Sequence, residues 1–343
     1  MHIPDGYLSP STCATLYGFA TAGWYTALKK TKRLLATRTI PLISVFAAFS
    51  FVVMMFNVPL PGGTTGHALG VAVATIVLGP WGSVLAISIA LSLQALFFGD
   101  GGITTLGANC FNMAIAGSLV AHAMYVLVSG RVELASRRRI FAAAIAGYAA
   151  INASALLTAF EFGIQPLLFH DTNGMPLYAP YPLRIALPAM MVGHLTFAGL
   201  AEGIISAGMI AYLQRTDISI LRGGSFAGEP TVANPSHARA TPVWLVVALM
   251  MVFTPVGILA AGTAWGEWSP AELSDRARTA TPAGLERLAT LWTAPFPSYA
   301  PAFVKHHAFG YFLSAIFGVG FLLLGSLLVK GLAARSRRPE FRP

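Results

Sequence analysis

A histidine at position 2 gathers three nitrogens into two residues: the terminal amine of Met1, the amide of His2 and the imidazole of His2. Together they can close fused chelate rings around one metal ion. One further imidazole completes four nitrogens in a plane, the tetragonal geometry associated with Ni(II) or Cu(II). His67 is the candidate for that place, because it stands in the glycine-rich stretch VPLPGGTTGHALG, residues 58 to 70. The competing reading of Met1 and His2 is a frayed terminus, the usual fate of end residues, and the residues alone leave both open. The opening MHIPDGYLSP has no basic n-region, carries Asp5, and meets Pro4 and Pro10 before any apolar run. It does not read as a cleaved signal peptide, so Met1 is expected to stay the first residue.

Other polar residues interrupt apolar segments and could support such a site. Asn109 and Asn112 are three apart, so they share roughly one helix face. They could orient ligand imidazoles from a second shell, or simply hydrogen-bond between helices. His194 and Glu202, eight apart, read as a structural polar pair, and Glu161 and His122 carry a weaker signal. His306 and His307, beside Lys305, read as a solvated loop that could touch metal in passing. Cys13 and Cys110 have no spacing pattern for zinc or redox chemistry. There is no GxxxxGK[ST] phosphate loop and no HExxH, which argues against direct ATP binding by that route and against a zinc protease.

The elements that must position these residues follow from composition. Of 343 residues, 55% are hydrophobic and only 10% charged, against about a quarter charged in ordinary globular chains. A polytopic all-α membrane protein is implied, and a nucleic-acid binder is excluded despite a net charge of +9. A bilayer core needs roughly 20 apolar residues per helix. About nine candidate spans appear, near 9–28, 40–59, 67–79, 81–98, 103–129, 140–166, 184–213, 242–262 and 308–330.

Seventeen of the 22 basic residues fall in alternate loops after the first, fifth and seventh spans and in the tail. Cytoplasmic loops hold such an excess, which predicts an amino terminus outside and a carboxyl terminus inside. The 58–70 loop, the FFGDGG stretch at 97–102 and the amino terminus then converge on the outer side. The 67–79 span is too short to cross, so the loop before it must dip into the membrane. Gly62, Gly63 and Gly66 would let it turn, and irregular backbone at that depth is tolerated only against protein or a cavity. The stripe Ala14, Gly18 and Ala22 predicts close helix packing, within the chain or with another subunit.

The start MHIPDGYLSP, the segment VPLPGGTTGHALG, the run LGPWGSVL and the stretch QALFFGDGGITTLGANCFNM, taken in this order, resemble the CbiM/NikM family over about residues 1 to 213. These are the substrate-binding membrane components of energy-coupling-factor nickel and cobalt importers. The resemblance implies a helical protein that takes Ni²⁺ or Co²⁺ from outside through Met1, His2 and His67. It implies no resident cofactor, the metal being cargo. Expected partners are a transmembrane coupling (T/Q-type) protein and ATP-binding (A/O-type) subunits in a bacterial inner membrane. Residues 242–343, including TPVGILAAGTAWGEWSPAEL, look like the small N-type component of the same family, fused through a polar linker at 214–241 that holds Gly223, Gly224, Gly228, Pro230 and Pro235.

Binding by an amine and imidazoles that lose protons predicts weaker affinity at low pH. The chain is expected to be a transport component and not an enzyme. A secondary divalent-metal permease is the alternative, with His194 and Glu202 as its few protonatable groups. Nickel against cobalt stays undecided, with the fusion tilting toward nickel.

Overall fold

The computed structural model describes residues 1–31, 39–60, 64–222, 240–260, 263–277, 280–301 and 303–335. Gly62 and Gly63, the linker glycines and prolines from Gly223 to Pro235, and the basic residues Lys32, Arg33, Arg38, Arg239, Arg337, Arg338 and Arg342 lie outside them.

The chain is predominantly helical. Among the described residues six helices are long and apolar enough to cross a membrane: Val71–Phe98, Leu106–Ser129, Arg137–Leu168, Leu183–Thr216, Thr241–Leu259 and His307–Leu328. Ile40–Met54 is a shorter apolar helix. The first helix, Pro10–Thr31, is not in the long apolar set. Leu127, Phe141, Ile204 and Leu324 lie exposed on the outside of the bundle. Small residues such as Ala142, Ala143, Ala146, Gly147 and Ala150 face inward on the long Arg137–Leu168 helix, where they let neighbouring backbones come close.

The expected spans at 67–79 and 81–98 form one helical run, Val71–Phe98, broken at Gly79 (φ 74°, ψ 167°) before Pro80. Ser83 Oγ lies 3.5 Å from the Val71 carbonyl oxygen, whereas a straight helix would separate residues 12 apart by about 18 Å. The run therefore doubles back at Gly79, whose positive φ is open to glycine at no steric cost. Both its ends, near residues 70 and 98, come to one side of the bundle.

The 58–70 loop is more ordered than expected and adds β structure to the all-α expectation. Val58–Leu60 and Thr64–Gly66 pair antiparallel, Val58 opposite Gly66 and Leu60 opposite Thr64. The pairing satisfies the backbone N–H and C=O groups of the second strand, whose Thr65 and Gly66 are buried. The Ala14, Gly18 and Ala22 stripe is exposed, with nothing within 4 Å of a Cβ built at Gly18, so it does not pack within the chain.

Beyond Thr241 the chain folds back over the rest. The segment after Thr263 carries two short helices, Pro270–Ala277 and Ala283–Leu288, and a 3₁₀ turn at Pro297–Tyr299. Trp265 packs 4.6 Å from the Tyr181 ring and 6.1 Å from Phe162.

Candidate metal centre

The amino-terminal segment is buried in the bundle and is not frayed. Met1, His2 and Ile3 are 3%, 1% and 0% exposed. What holds it is a clamp on Ile3. The Ile3 N–H donates to Asn109 Oδ1 at 2.8 Å, and the Ile3 carbonyl accepts from Gly102 N–H at 2.9 Å, from Asn109 Nδ2 at 3.1 Å and from the Thr105 hydroxyl. Asp5 then accepts from the Thr104 N–H at 2.7 Å and the Ile103 N–H at 3.1 Å. Gln165 Oε1 accepts from Ser9 N–H at 3.0 Å just before the first helix begins.

Upstream of this clamp the nitrogens are left differently. The His2 amide nitrogen takes no hydrogen bond among the described residues. Among the described residues His2 Nε2 and His67 Nε2 are buried without a partner, although buried polar atoms are nearly always satisfied. His2 Nδ1 lies 3.7 Å from Asp100 Oδ1, beyond hydrogen-bond range. His67 Nδ1 lies 3.0 Å from the Ala68 carbonyl. A carbonyl only accepts, so Nδ1 carries the proton and Nε2 keeps its lone pair. The Met1 ammonium is also partnered, at 2.7 Å from Glu267 Oε1.

The two imidazole rings stand 5.0 Å apart between centroids. With metal–nitrogen bonds of about 2.0–2.1 Å, each centroid sits roughly 3.2 Å from a shared ion, giving about 4.5 Å for cis rings and about 6.4 Å for trans rings. In a planar chelate of amine, amide and imidazole from residues 1 and 2, the fourth donor is trans to the amide and hence cis to the His2 ring. The observed 5.0 Å lies closer to the cis value than to the trans one.

Electrostatics keep both rings ready. Burial pulls the His2 imidazole down to about 4, with Glu267 opposing and the terminal ammonium adding to the fall. Burial, the His2 ring and the terminal ammonium pull His67 down to about 3, with Asp100 opposing. Both are neutral near pH 7.

Comparison with known proteins bears on what this arrangement is. Residues 2–220 match the CbiM family, described as a cobalt uptake substrate-specific transmembrane region. This chain belongs to the CbiM/NikM family. Among its relatives is the fused nickel transport protein NikMN of Rhodobacter capsulatus, 49% identical over 98% of this chain and 99% of that protein. Another is the probable fused nickel transport protein LarMN of Lactiplantibacillus plantarum, 38% identical over 97% of each. The crystal structure of a truncated transition metal transporter is 47% identical with a TM-score of 0.58, covering 62% of this chain and 98% of that one. The family places this chain among nickel and cobalt transport proteins, and the fused relatives extend through its carboxyl-terminal third.

Within this CbiM/NikM chain the remaining sequence candidates fall in several places. Asn109 grips the Ile3 backbone and not a histidine ring. Asn112 donates to Glu161 Oε2 at 2.8 Å and to Thr158 at 3.2 Å, tying two helices together. His194 and Glu202 do not pair with each other. His194 donates from Nδ1 to the Met190 carbonyl at 2.8 Å. Glu202 Oε2 accepts from the Leu69 and Gly70 N–H groups at 2.6 and 2.9 Å, satisfying orphan donors where the Val71–Phe98 helix starts. His306 and His307 sit exposed at the start of the last long helix.

Several supporting residues were not picked out from the sequence. Asp5, Thr105, Gln165 and Glu267 secure the terminal segment. Asp100 accepts from the Tyr299 hydroxyl at 2.6 Å and from Gln94 Nε2 at 3.2 Å. The FFGDGG stretch that contains Asp100 marked the region without assigning the residue. Gly101 (φ +84°) lets the loop run against the site, since a Cβ there would lie 2.9 Å from Asn109 Nδ2 and 3.4 Å from His2 Nδ1.

Proposed function

We propose that this chain is the substrate-binding component of an ATP-driven, energy-coupling-factor type importer that captures Ni²⁺ or Co²⁺ from outside the cell. Met1 supplies its terminal amine, His2 its amide and Nδ1, and His67 its Nε2. The observation that carries the reading is the pair of buried imidazoles 5.0 Å apart, with His67 Nε2 unpartnered and His2 Nδ1 no closer than 3.7 Å to Asp100 Oδ1, beside the chain's own terminal amine. The family and the fused nickel transport relatives support the same cargo. The mild preference for nickel rests on the planar donor set and on the carboxyl-terminal extension.

In this reading the amino terminus faces outward and the basic loops inward, in a bacterial cytoplasmic membrane. Residues 1–213 form the metal-binding part, 214–241 a cytoplasmic linker and 242–343 the N-type part. A coupling protein and two ATP-binding subunits supply the motion that releases the ion inward. The test is calorimetric titration of the purified chain with nickel, then cobalt, beside two variants: His67→Ala and one with alanine inserted between Met1 and His2. Both variants lose tight binding while staying folded. Wild-type affinity in both would overturn the site, and transport that runs without an ATPase partner would overturn the coupling.

A further inference from the structure

The nitrogens of the metal centre are closed off: Met1, His2 and His67 are each at most 5% exposed, and the clamp on Ile3 and Asp5 seals the 102–105 side. An incoming ion therefore needs an approach. A cavity of about 50 Å³ borders Met1 and is lined also by Thr64 of the hairpin, Ala189, Met190 and His194 of the Leu183–Thr216 helix, and Trp265. Thr64 closes one rim by donating its hydroxyl to the Thr263 carbonyl at 3.1 Å. At roughly 10–15 Å³ of such volume per water, the cavity holds on the order of four waters. That is room for a cation with part of its hydration shell.

His194 is the imidazole on this cavity, and packing alone does not account for it. It is 5% exposed. Because Nδ1 donates to the Met190 carbonyl, Nε2 keeps its lone pair, and Nε2 takes no hydrogen bond among the described residues. Glu202, the acid it was expected to pair with, turns Oε2 to the Leu69 and Gly70 N–H groups and makes no hydrogen bond to His194. His194 also opens a π-helical turn, His194–Ala198, a rare widening that gathers at functional sites.

We propose that this cavity is a staging position for the incoming divalent transition-metal ion, with His194 Nε2 as its one imidazole ligand and water completing the coordination sphere. The proposal rests on the reading of Met1, His2 and His67 as the tight site. One imidazole among waters holds a first-row cation weakly, and four nitrogens hold it firmly. Transfer is ligand exchange without change of oxidation state: a bound water leaves, the Met1 ammonium gives up a proton to cavity water, its freed lone pair takes the vacated place while Nε2 still holds the ion, and Nε2 then lets go. Met1 borders the cavity, so the ion need not leave protein ligands during the exchange. A staging ligand alters rates in both directions and leaves the equilibrium affinity nearly unchanged.

The experiment uses the full chain in lipid nanodiscs, mixed with NiCl₂ in a stopped-flow instrument and followed by tryptophan quenching, with calorimetry for the equilibrium constant. His194→Gln removes the imidazole at similar size, and Ala189→Phe fills the cavity while leaving His194 in place. Both are expected to slow association about tenfold or more while Kd stays within about threefold. Association at the wild-type rate in either folded variant overturns the proposal. So does a Kd weakened as far as in His67→Ala with association unchanged, which would make His194 a support of the final site. The underlying reading fails separately, if His67→Ala itself keeps tight nickel binding whatever the two rates show.

Discussion

The Met1 ammonium and the Glu267 carboxylate meet at 2.7 Å across 266 residues of sequence, so the amine proposed to bind metal is already held by the carboxyl-terminal third of the chain. Metal and Glu267 compete for one nitrogen, because an amine that donates its lone pair to nickel cannot remain an ammonium in an ion pair. The carboxyl-terminal part thus reaches directly into the binding step. The neighbouring contacts agree, with the Tyr7 hydroxyl donating to the Trp268 carbonyl at 2.8 Å.

Glu267→Gln is therefore expected to tighten nickel binding. The Glu267 side chain is 17% exposed, and a partly screened contact of this kind is worth about 1 kcal/mol, or roughly fivefold in affinity. Calorimetric titration at constant pH reads the change. An affinity weakened by the substitution would mean that Glu267 organises the terminus for the metal instead of competing with it.

Asn109 and Asn112, alike in the sequence, should separate in function. Asn109→Ala strands the buried Ile3 N–H, at about 1–3 kcal/mol, while the Ile3 carbonyl keeps Gly102 and Thr105, so the terminal segment loosens and nickel affinity drops by an order of magnitude or more. Asn112→Ala breaks the bonds to Glu161 and Thr158, lowering thermal stability while leaving nickel affinity within a few fold of wild type. Proteolysis of the terminal segment together with titration distinguishes the two. Equal loss of affinity in both would refute the division of labour.

The contrast shows what could be read beforehand. The helical bundle, the run of apolar spans and the sharp break before Pro80 were legible because hydropathy and the Gly79–Pro80 pair act locally. Met1, His2 and His67 were singled out by atom type, by place in the chain and by the family resemblance, and the structure buries all three, with the two imidazole rings 5.0 Å apart. The pairing of Val58–Leu60 with Thr64–Gly66 was not legible, since strands of three residues are too short to show an alternating pattern. Glu267, Asp5 and Gln165 were invisible for another reason. Each is a lone polar residue whose partner lies about 100 to 270 positions away, and no local pattern encodes such a distance.

Glu202 gives a structural prediction. Glu202→Ala leaves the Leu69 and Gly70 N–H groups without their acceptor next to His67, at a cost of about 1–3 kcal/mol for each group so stranded. The melting temperature falls and nickel binding weakens with it, because the backbone carrying His67 is no longer fixed. A Glu202→Ala protein with unchanged stability and binding but no transport would instead mark a proton pathway through this residue and revive a secondary permease.

The number of protons released by binding provides the sharpest check on the buried imidazoles. An exposed histidine has a reference pKa of about 6.5, so at pH 5.5 two ordinary rings would both be mostly charged, and metal binding would expel close to four protons, two from the rings and two from the amine and amide. Here the rings are held down to about 4 and about 3, so they are already neutral at pH 5.5. The release stays near two at both pH 7 and pH 5.5. Since both folded values are depressed, the burden falls on the acid side: below pH 6.5 the unfolded or opened segment takes up protons that the closed one refuses, and stability of the metal-free segment declines progressively toward pH 4. Calorimetry in buffers of different ionisation enthalpy counts the protons, and hydrogen exchange of residues 1–9 follows the opening. Release rising from two toward four on acidification would mean that the rings are solvated before the metal arrives, and the preformed site would have to be abandoned.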